Sequence, residues 1–287
     1  RLEKFSPLDL TKVFLMLRLR KKRMNKKGFI FFVLLFSCDI FSEINIDPGE
    51  IFAIKVVDCP NIKTKKELFI IYKGIEYAIL SAPFSKNELI INKYCFPVKV
   101  ERKEFGESRI TIKNTSMVNL SKDDSERAFK ESQLIKESLS TYSIDMQPSI
   151  KFISPVNGII SSRYGKQRYI NDKPRSPHLA LDIAAAEGTS IVAPSAGRVI
   201  LIGDFFYSGN YIILDHGNGL LSSYSHMSII NVDEGEFVNQ GDVIGEVGST
   251  GRVTGPHLHW SVYLSKNRIN PESLIQENYL DTLFNRF

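Results

Sequence analysis

The chain has 287 residues, a hydrophobic fraction of 43% and a formal net charge of +5. This length allows two modest domains or one large one. The positive charge is concentrated in residues 1–27, which hold ten lysines and arginines against two acidic residues. Because the rest of the chain is close to neutral, the composition argues against a nucleic-acid partner.

Residues 1–42 have the pattern of an export signal with an upstream extension. Lys26 and Lys27 lead into the apolar run 28–36, which is too short to span a bilayer comfortably. We expect translation to start at Met24, residues 1–23 to be an extension, and the signal peptide to be removed. An uncleaved membrane anchor is the alternative interpretation.

The three cysteines leave two processing routes open. Cleavage after Ser42 leaves Cys59 and Cys95, an even pair that can form a disulfide outside the cytoplasm. Alternatively, the segment that ends at Cys38 resembles a bacterial lipobox, with Phe36 departing from the usual small or branched residue. Cys38 would then be the lipidated N terminus and a membrane tether.

Residues 43–118 are predicted to form a β-rich N-terminal domain. Short apolar and β-branched runs alternate with turn residues at regular spacing, which is typical of a small β-sandwich. The runs are 51–56, 67–72, 75–79, 89–91, 96–100 and 109–112. No cluster of catalytic residue types stands out there, so we interpret the domain as a spacer or docking module.

Residues 119–145 are predicted to form a helical linker. Ser121 followed by acidic residues is typical of a capped helix start. The helix carries a narrow apolar stripe on an otherwise charged surface, which indicates that it is half packed and half solvated. The stripe consists of Ala128, Phe129, Leu134, Ile135 and Leu139.

Residues 146–277 are predicted to form the functional domain, followed by a C-terminal tail over 278–287. Strand-like runs dominate here, and glycine-centred turns separate them, as at 216–219, 234–236 and 240–242. The chain is therefore expected to be mainly β: a C-terminal antiparallel sheet domain, preceded by a small β-sandwich-like domain and a connecting helix.

All five histidines lie between residues 178 and 259. In the segment 257–262, His257 and His259 alternate with the apolar residues Leu258, Trp260 and Val262. This period of two predicts a strand that buries its apolar face and presents both imidazoles on the other.

A second segment, 176–183, has the same alternation. Its polar face carries His178, Ala180 and Asp182. The spacing also fits one helical turn, but the alternation and the preceding Pro177 favour a strand. Either geometry puts His178 and Asp182 on one side. Because neutral imidazole is a good zinc ligand, we favour a metal site over ordinary surface or core histidines.

These motifs together resemble those of the LytM/lysostaphin-type zinc metallopeptidases, over roughly residues 150–275. The resemblance rests on His178-x-x-x-Asp182, Tyr224-Ser225-His226 and His257-Leu258-His259. Glycine-containing segments around them match as well: Glu187-Gly188-Thr189, Ala196-Gly197-Arg198-Val199, His216-Gly217-Asn218-Gly219-Leu220 and Gly248-Ser249-Thr250-Gly251-Arg252. The resemblance implies a peptidoglycan endopeptidase with the duplicated-hybrid-motif β fold of that family.

The resemblance also implies the roles of five residues. One catalytic Zn²⁺ would be held by His178, Asp182 and His259, with the fourth position left for water. His226 and His257 would be the two catalytic histidines, one accepting a proton from the activated water and the other donating one. Which histidine is base and which is acid stays open.

Three further positions are interpreted from the family pattern. His216 is expected to be structural, at a strand end before a glycine-bearing turn. Tyr169 is either an oxyanion-stabilising tyrosine, as in some relatives, or a plain surface tyrosine. Ala180 replaces a glycine that is common in relatives, and its methyl group would narrow the groove.

The resemblance and the export signal together imply an exported hydrolase, a zinc metalloprotease that cleaves stem peptides or cross-links of bacterial peptidoglycan in the periplasm or cell envelope. One alternative is a non-hydrolytic module that regulates cell-wall amidases, because some relatives have lost zinc ligands; here the set is complete. Another is a lipoprotein whose β-domain binds a partner while the peptidase is ancillary.

Overall fold

The computed structural model describes residues 44–285, except 65, 92, 93 and 114. The predicted start at Met24, the signal peptide and the lipobox at Cys38 lie outside the described residues. Within the described ranges, no helix is long and apolar enough to cross a membrane.

The N-terminal part consists of two three-stranded sheets that share one hydrophobic core. The first sheet has the strand order β1–β6–β5 and the second β2–β4–β3. Phe52 and Ile54 of the second sheet lie in one buried cluster with Val98 and Val100 of the first. This packing is the predicted small β-sandwich. The six strands are β1 Ile44–Ile46, β2 Ile51–Lys55, β3 Leu68–Tyr72, β4 Ile75–Ser81, β5 Leu89–Ile91 and β6 Val98–Val100.

The second of these sheets is buried on both faces. Successive strand residues point to opposite sides, so Ile51 and Ala53 face away from Phe52 and Ile54. Ile51 and Ala53 belong to the main core, which also contains Leu264 and other residues of the C-terminal sheet. The sheet β2–β4–β3 therefore lies between the first small sheet and the C-terminal domain.

Cys59 and Cys95 form a disulfide, with their Cα atoms 5.6 Å apart. The bond links the segment after β2 to the segment before β6 and closes over the sandwich core, in which Cys59 is buried. The disulfide that the sequence analysis gave as one possibility for Cys59 and Cys95 is therefore present in the structure.

A connecting segment follows the sandwich. Strand β7 (Glu107–Ile110) pairs in parallel with β9 (Gln167–Ile170) of the C-terminal part. Helix α1 (Lys122–Ser138) begins after Ser121, whose hydroxyl accepts a hydrogen bond from the Asp124 amide, as the capping pattern predicts. The helix is less packed than expected, because it has no buried residue and Phe129 of the predicted stripe is 64% exposed.

The C-terminal part is dominated by a ten-stranded antiparallel sheet with the central order β16–β13–β14–β15–β18–β11–β8. Its strands β12 and β17 pair with each other beside β15, and β19 extends β18. The strands from β8 onward are β8 Ile159–Ser162, β9 Gln167–Ile170, β10 Lys173–Pro174, β11 Leu181–Ala184, β12 Ser190–Val192, β13 Gly197–Phe205, β14 Gly209–Gly217, β15 Leu220–Ile230, β16 Phe237–Val238, β17 Val243–Val247, β18 Leu258–Leu264 and β19 Asn267–Ile269.

Two short helices end the described chain, α2 (Pro271–Leu274) and α3 (Tyr279–Phe284). The Phe284 ring stacks on Tyr72 of β3 with centroids 4.2 Å apart. The segment predicted as a tail thus packs on the N-terminal sandwich. The domain boundaries proposed from the sequence stay predictions, since the described residues form one compact unit.

Candidate metal centre

Asp182 and His259 face each other on neighbouring antiparallel strands. They are register partners in the β11–β18 pair, and His259 Nδ1 lies 2.7 Å from Asp182 Oδ1. Leu258, Trp260 and Val262, on the alternate positions of β18, are fully buried in the core. The structure therefore contains the predicted apolar face and, on the other face, His259. His257 lies immediately before β18 rather than in it, so the expected strand starts one residue later than predicted.

His178 completes the group from a loop rather than from a strand. Strand β11 begins only at Leu181, so the strand expected over 176–183 is confirmed for its second half and wrong for its first. The chain before β11 instead pairs irregularly with the segment before β9, through the His178 amide and the Lys166 carbonyl at 2.8 Å. The predicted convergence still holds, because His178 Nε2 lies 2.9 Å from Asp182 Oδ1.

The arrangement of donor atoms fits a metal cation. His178 Nδ1 lies 3.1 Å from the carbonyl oxygen of Arg163, which can only accept, so the neutral ring carries its proton there and Nε2 has a lone pair. That lone pair meets the Asp182 carboxylate, acceptor against acceptor, and a cation between them removes the repulsion. His178, Asp182 and His259 offer one ligand atom each within 4.8 Å of one another. Two imidazoles and one carboxylate suit zinc.

The electrostatics keep Asp182 and His259 in their metal-binding forms. Burial would raise the pKa of Asp182, but the electrostatic influence of the neighbouring His259 and His178 rings outweighs this effect and holds that pKa well below its usual range. Burial lowers the pKa of His259 to about 4, against the opposing effect of Asp182. At neutral pH the carboxylate is ionised and His259 is neutral.

A β-bulge brings the side chain of His226 next to the candidate metal ligands. Two residues of β15, Ser225 and His226, oppose the single Tyr211 of β14, and the register shifts there. His226 has φ 67°, a left-handed conformation that is uncommon for a residue with a side chain. A bulge re-aims the side chain that it carries. Here it brings the His226 ring to 5.8 Å from the His259 ring, centroid to centroid.

His226 and His257 form a second pair of imidazoles, with ring centroids 4.9 Å apart. Each ring donates from Nδ1 to a backbone carbonyl, of Thr250 at 2.9 Å and of Gly255 at 2.8 Å. The Nε2 atom of each ring is thereby left free of these carbonyl contacts. Burial, followed by the charges of His259 and His257, lowers the pKa of His226 to about 3. His257 Nε2 lies 4.0 Å from Asp182 Oδ1.

The other two candidates lie in different surroundings. His216 is buried, and its ring nitrogens lie 2.7 Å from the Ala196 carbonyl and 2.8 Å from the Ser222 hydroxyl. These contacts agree with the predicted structural role. The Tyr169 ring packs under the guanidinium of Arg109 at 4.0 Å. Sequence reasoning missed the carbonyls of Arg163, Thr250 and Gly255, which leave no signal in side-chain patterns.

Comparison with known proteins assigns the family. The sequence model described as Peptidase family M23 matches residues 176–271, which contain all four site histidines and Asp182. Residues 176–271 form a peptidase family M23 domain. The LytM/lysostaphin-type resemblance of the motifs is thereby confirmed, and the M23 domain comprises β11 to β19 of the large sheet.

Two curated relatives match between a third and two fifths of the chain. The peptidoglycan DD-endopeptidase ShyA of Vibrio cholerae is 38% identical over 112 residues, which are 39% of this chain and 26% of ShyA. The DD-carboxypeptidase/endopeptidase Mpg of Neisseria meningitidis is 40% identical over 97 residues, 34% of this chain and 22% of Mpg. The chain thus spans about a quarter of the length of these relatives.

A solved structure extends the similarity beyond the M23 domain. A Pseudomonas aeruginosa protein assigned to peptidase M23 is 28% identical with a TM-score of 0.62. The match covers 79% of this chain and 94% of that one. Because this share is far larger than the family match, the fold similarity includes part of the chain before the M23 domain.

Proposed function

We propose that the protein is an exported, zinc-dependent endopeptidase that hydrolyses peptide bonds in the stem peptides or cross-links of bacterial peptidoglycan. The observation that carries the proposal is the convergence of His178, Asp182 and His259 with the His226–His257 pair beside them. The peptidoglycan endopeptidase names of the relatives support the substrate class.

The chain's own residues divide the chemistry between them. His178, Asp182 and His259 would hold the ion, and a bound zinc supplies a Lewis acid and lowers the pKa of water. The Nε2 atoms of His226 and His257 face the site, with their Nδ1 protons donated to backbone carbonyls. One ring would accept a proton at Nε2 from the attacking water, and the other ring, protonated at Nε2, would donate its proton to the leaving amine. Transfer of the accepted proton to the ring that has given its own would restore both histidines.

Export is supported by two observations. The basic segment that ends at Lys27 and the apolar run 28–36 have the order of a secretory signal. The Cys59–Cys95 disulfide suits an oxidising compartment. The periplasm or cell envelope is also where the proposed substrate lies. The complete ligand set supports hydrolysis over a non-hydrolytic regulatory role.

Release of soluble muropeptides from purified peptidoglycan tests the proposal. Residues 43–287 loaded with zinc are expected to release fragments, and mass spectrometry should show new amino and carboxyl termini at one type of bond. Metal-stripped protein and the His257→Ala variant run beside it and should release none. Zinc-loaded protein that leaves peptidoglycan intact would contradict the proposal.

A further inference from the structure

Three arginines lie beside the candidate metal centre. Arg168 is on β9, and Arg175 follows β10 on the adjoining strand, with its amide 2.9 Å from the Arg168 carbonyl. The β9–β10 register pairs Tyr169 with Pro174, so Arg168 and Arg175 are the next residues opposite each other and share one face of the hairpin. Like charges placed directly opposite destabilise a sheet.

Arg252 brings the third guanidinium to this group from the loop before β18. Its amide lies 3.0 Å from the Tyr207 carbonyl, and its guanidinium carbon lies 4.1 Å from the Tyr207 ring centroid. Burial lowers the pKa of Arg252, and the charge of Arg175 lowers it further. Burial likewise lowers the pKa of Arg168, and so does the charge of Arg252. The guanidinium of Arg252 is therefore repelled by those of both Arg175 and Arg168.

The cluster lacks an anionic partner of its own. Within the described ranges, the side chains of Arg168 and Arg175 make no hydrogen bond or ion pair. The carboxylate that acts on Arg168 is Asp182, which the proposed function assigns to the metal. Elsewhere arginines pair with glutamates, as Arg109–Glu107, Arg127–Glu131 and Arg163–Glu272 do.

The cluster adjoins both the metal ligands and open space. The hairpin that carries Arg168 and Arg175 continues to the proposed ligand His178, whose amide donates to the Lys166 carbonyl at 2.8 Å. On its other side, Arg252 lines a groove of about 400 Å³ between the connecting segment and the loop before β18. Lys113 lines the same groove and adds a further positive charge. Arg252 thus places one guanidinium of the cluster at an open groove that also carries Lys113.

We propose that Arg168, Arg175 and Arg252 form a subsite that binds a carboxylate of the peptide substrate next to the bond that is cut. Planar guanidinium groups match a carboxylate through two parallel hydrogen bonds, and an anion removes the repulsion among the three charges. The inference rests on the proposed function, which it deepens by naming the chemical class of the substrate: an acidic peptide rather than a neutral one.

A matched pair of substrates tests the subsite. Cross-linked peptide dimers are isolated from purified peptidoglycan and used either native or with their carboxylates converted to carboxamides. The unmodified protein should show a kcat/KM about 10-fold or more higher for the native dimer. Arg168→Gln and Arg252→Gln should each lower kcat/KM for the native dimer by about 10- to 100-fold and leave the amidated dimer unaffected.

Arg198→Gln is the matched control. Arg198 is exposed on β13, where its guanidinium donates to the Gly235 carbonyl. The substitution removes the same charge and should change neither rate. Equal rates of the unmodified protein on both dimers would overturn the subsite. An equal loss on both dimers, or a loss of bound zinc in Arg168→Gln, would likewise reduce Arg168 to a structural role.

Calorimetric binding of both dimers to metal-stripped protein separates the two proposals. If neither dimer is cut with zinc, but the native one binds more tightly and Arg168→Gln abolishes the difference, the hydrolase proposal fails and the subsite stands. If both dimers are cut at equal rates, the hydrolase stands and the subsite fails. If neither dimer is cut and binding ignores the carboxylates, both fail.

Discussion

Asp182 and His259 are register partners across two antiparallel strands, and their side chains meet at 2.7 Å. The register of β11 on β18 therefore sets the geometry of the centre directly. A slip by one residue would turn His259 towards the hydrophobic core and Trp260 towards the face of the sheet that carries the metal centre. The burial of Leu258, Trp260 and Val262 opposes such a slip, so the hydrophobic core fixes the position of the candidate ligands.

Removal of the carboxylate charge at Asp182 should release the metal. Asp182→Asn keeps the shape of the side chain but removes the negative charge of the carboxylate that contacts both His178 and His259. Zinc affinity should fall by more than about 100-fold, since loss of an outer-shell partner already costs about 10- to 100-fold. Competition with a chromogenic chelator measures it. Asp172→Asn, at an exposed turn, should bind zinc normally; equal affinities would refute the assignment of Asp182.

His226→Ala and His257→Ala should separate metal binding from catalysis. Neither ring is needed to hold the ion, so both variants should retain stoichiometric zinc by elemental analysis. Their kcat should fall by about 10²- to 10⁴-fold, the usual contribution of a general acid or base. His178→Ala and His259→Ala should instead lose the zinc itself. Loss of zinc from His226→Ala would show that this residue is a ligand.

Gly209→Ala should impair catalysis from outside the site. Gly209 has φ +60°, and an added Cβ would lie 2.6 Å from the Gly251 nitrogen, against the loop whose Thr250 carbonyl holds His226. Displacement of that carbonyl by about 1 Å should cost about 100-fold in kcat, with zinc content unchanged.

The matched control for this change is Gly235→Ala. Gly235 has φ +89°, but a Cβ there would meet nothing within 4 Å. The two substitutions therefore impose similar backbone strain, and only Gly209→Ala crowds the Thr250 loop. If both variants lowered kcat equally, strain rather than the position of His226 would explain the loss.

His216 should make the protein sensitive to acid. Burial lowers its pKa to about 4, below the value of about 6.5 expected in the unfolded chain. Between these two pKa values the unfolded state binds more protons than the folded state. The stability that comes from burying a neutral His216 is therefore fully present above about pH 6.5 and is lost as the pH falls towards 4. The loss amounts to about 3 kcal/mol.

Urea unfolding of the unmodified protein and of His216→Gln, at matched metal content between pH 7 and pH 4, measures this contribution. The glutamine variant should be less stable at pH 7, because it loses the bonds to Ala196 and Ser222. Its disadvantage should shrink towards pH 4, since glutamine does not titrate. A constant difference across this range would show that His216 is not buried as a neutral ring.

The alternation of polar and apolar residues predicted much of the fold and most of the site. It placed His259 on the polar face of a strand, with His257 immediately before that strand, and it put Asp182 on the same side as His178. These features are local, because strand parity follows from adjacent residues. The mainly β architecture and the sandwich followed from the same periodicity.

Other parts of the site depend on contacts between distant segments. The left-handed conformation of His226 is held by its amide on the Ser208 carbonyl and its ring on the Thr250 carbonyl. No residue near His226 signals a bulge. The extent of the strand before Asp182 was wrong for a similar reason, since pairing with residues 163–166 rather than local alternation sets the backbone at His178.

The burial of β2–β4–β3 on both faces has a consequence for how the molecule unfolds. Ile51 and Ala53 are part of the same core as Leu264, so the sandwich cannot detach without exposing apolar surface of the peptidase domain. A fragment that starts at residue 145 should expose this surface and aggregate. Calorimetry of residues 43–287 should show one cooperative transition, and the centre should lose its metal at the same temperature as the sandwich melts.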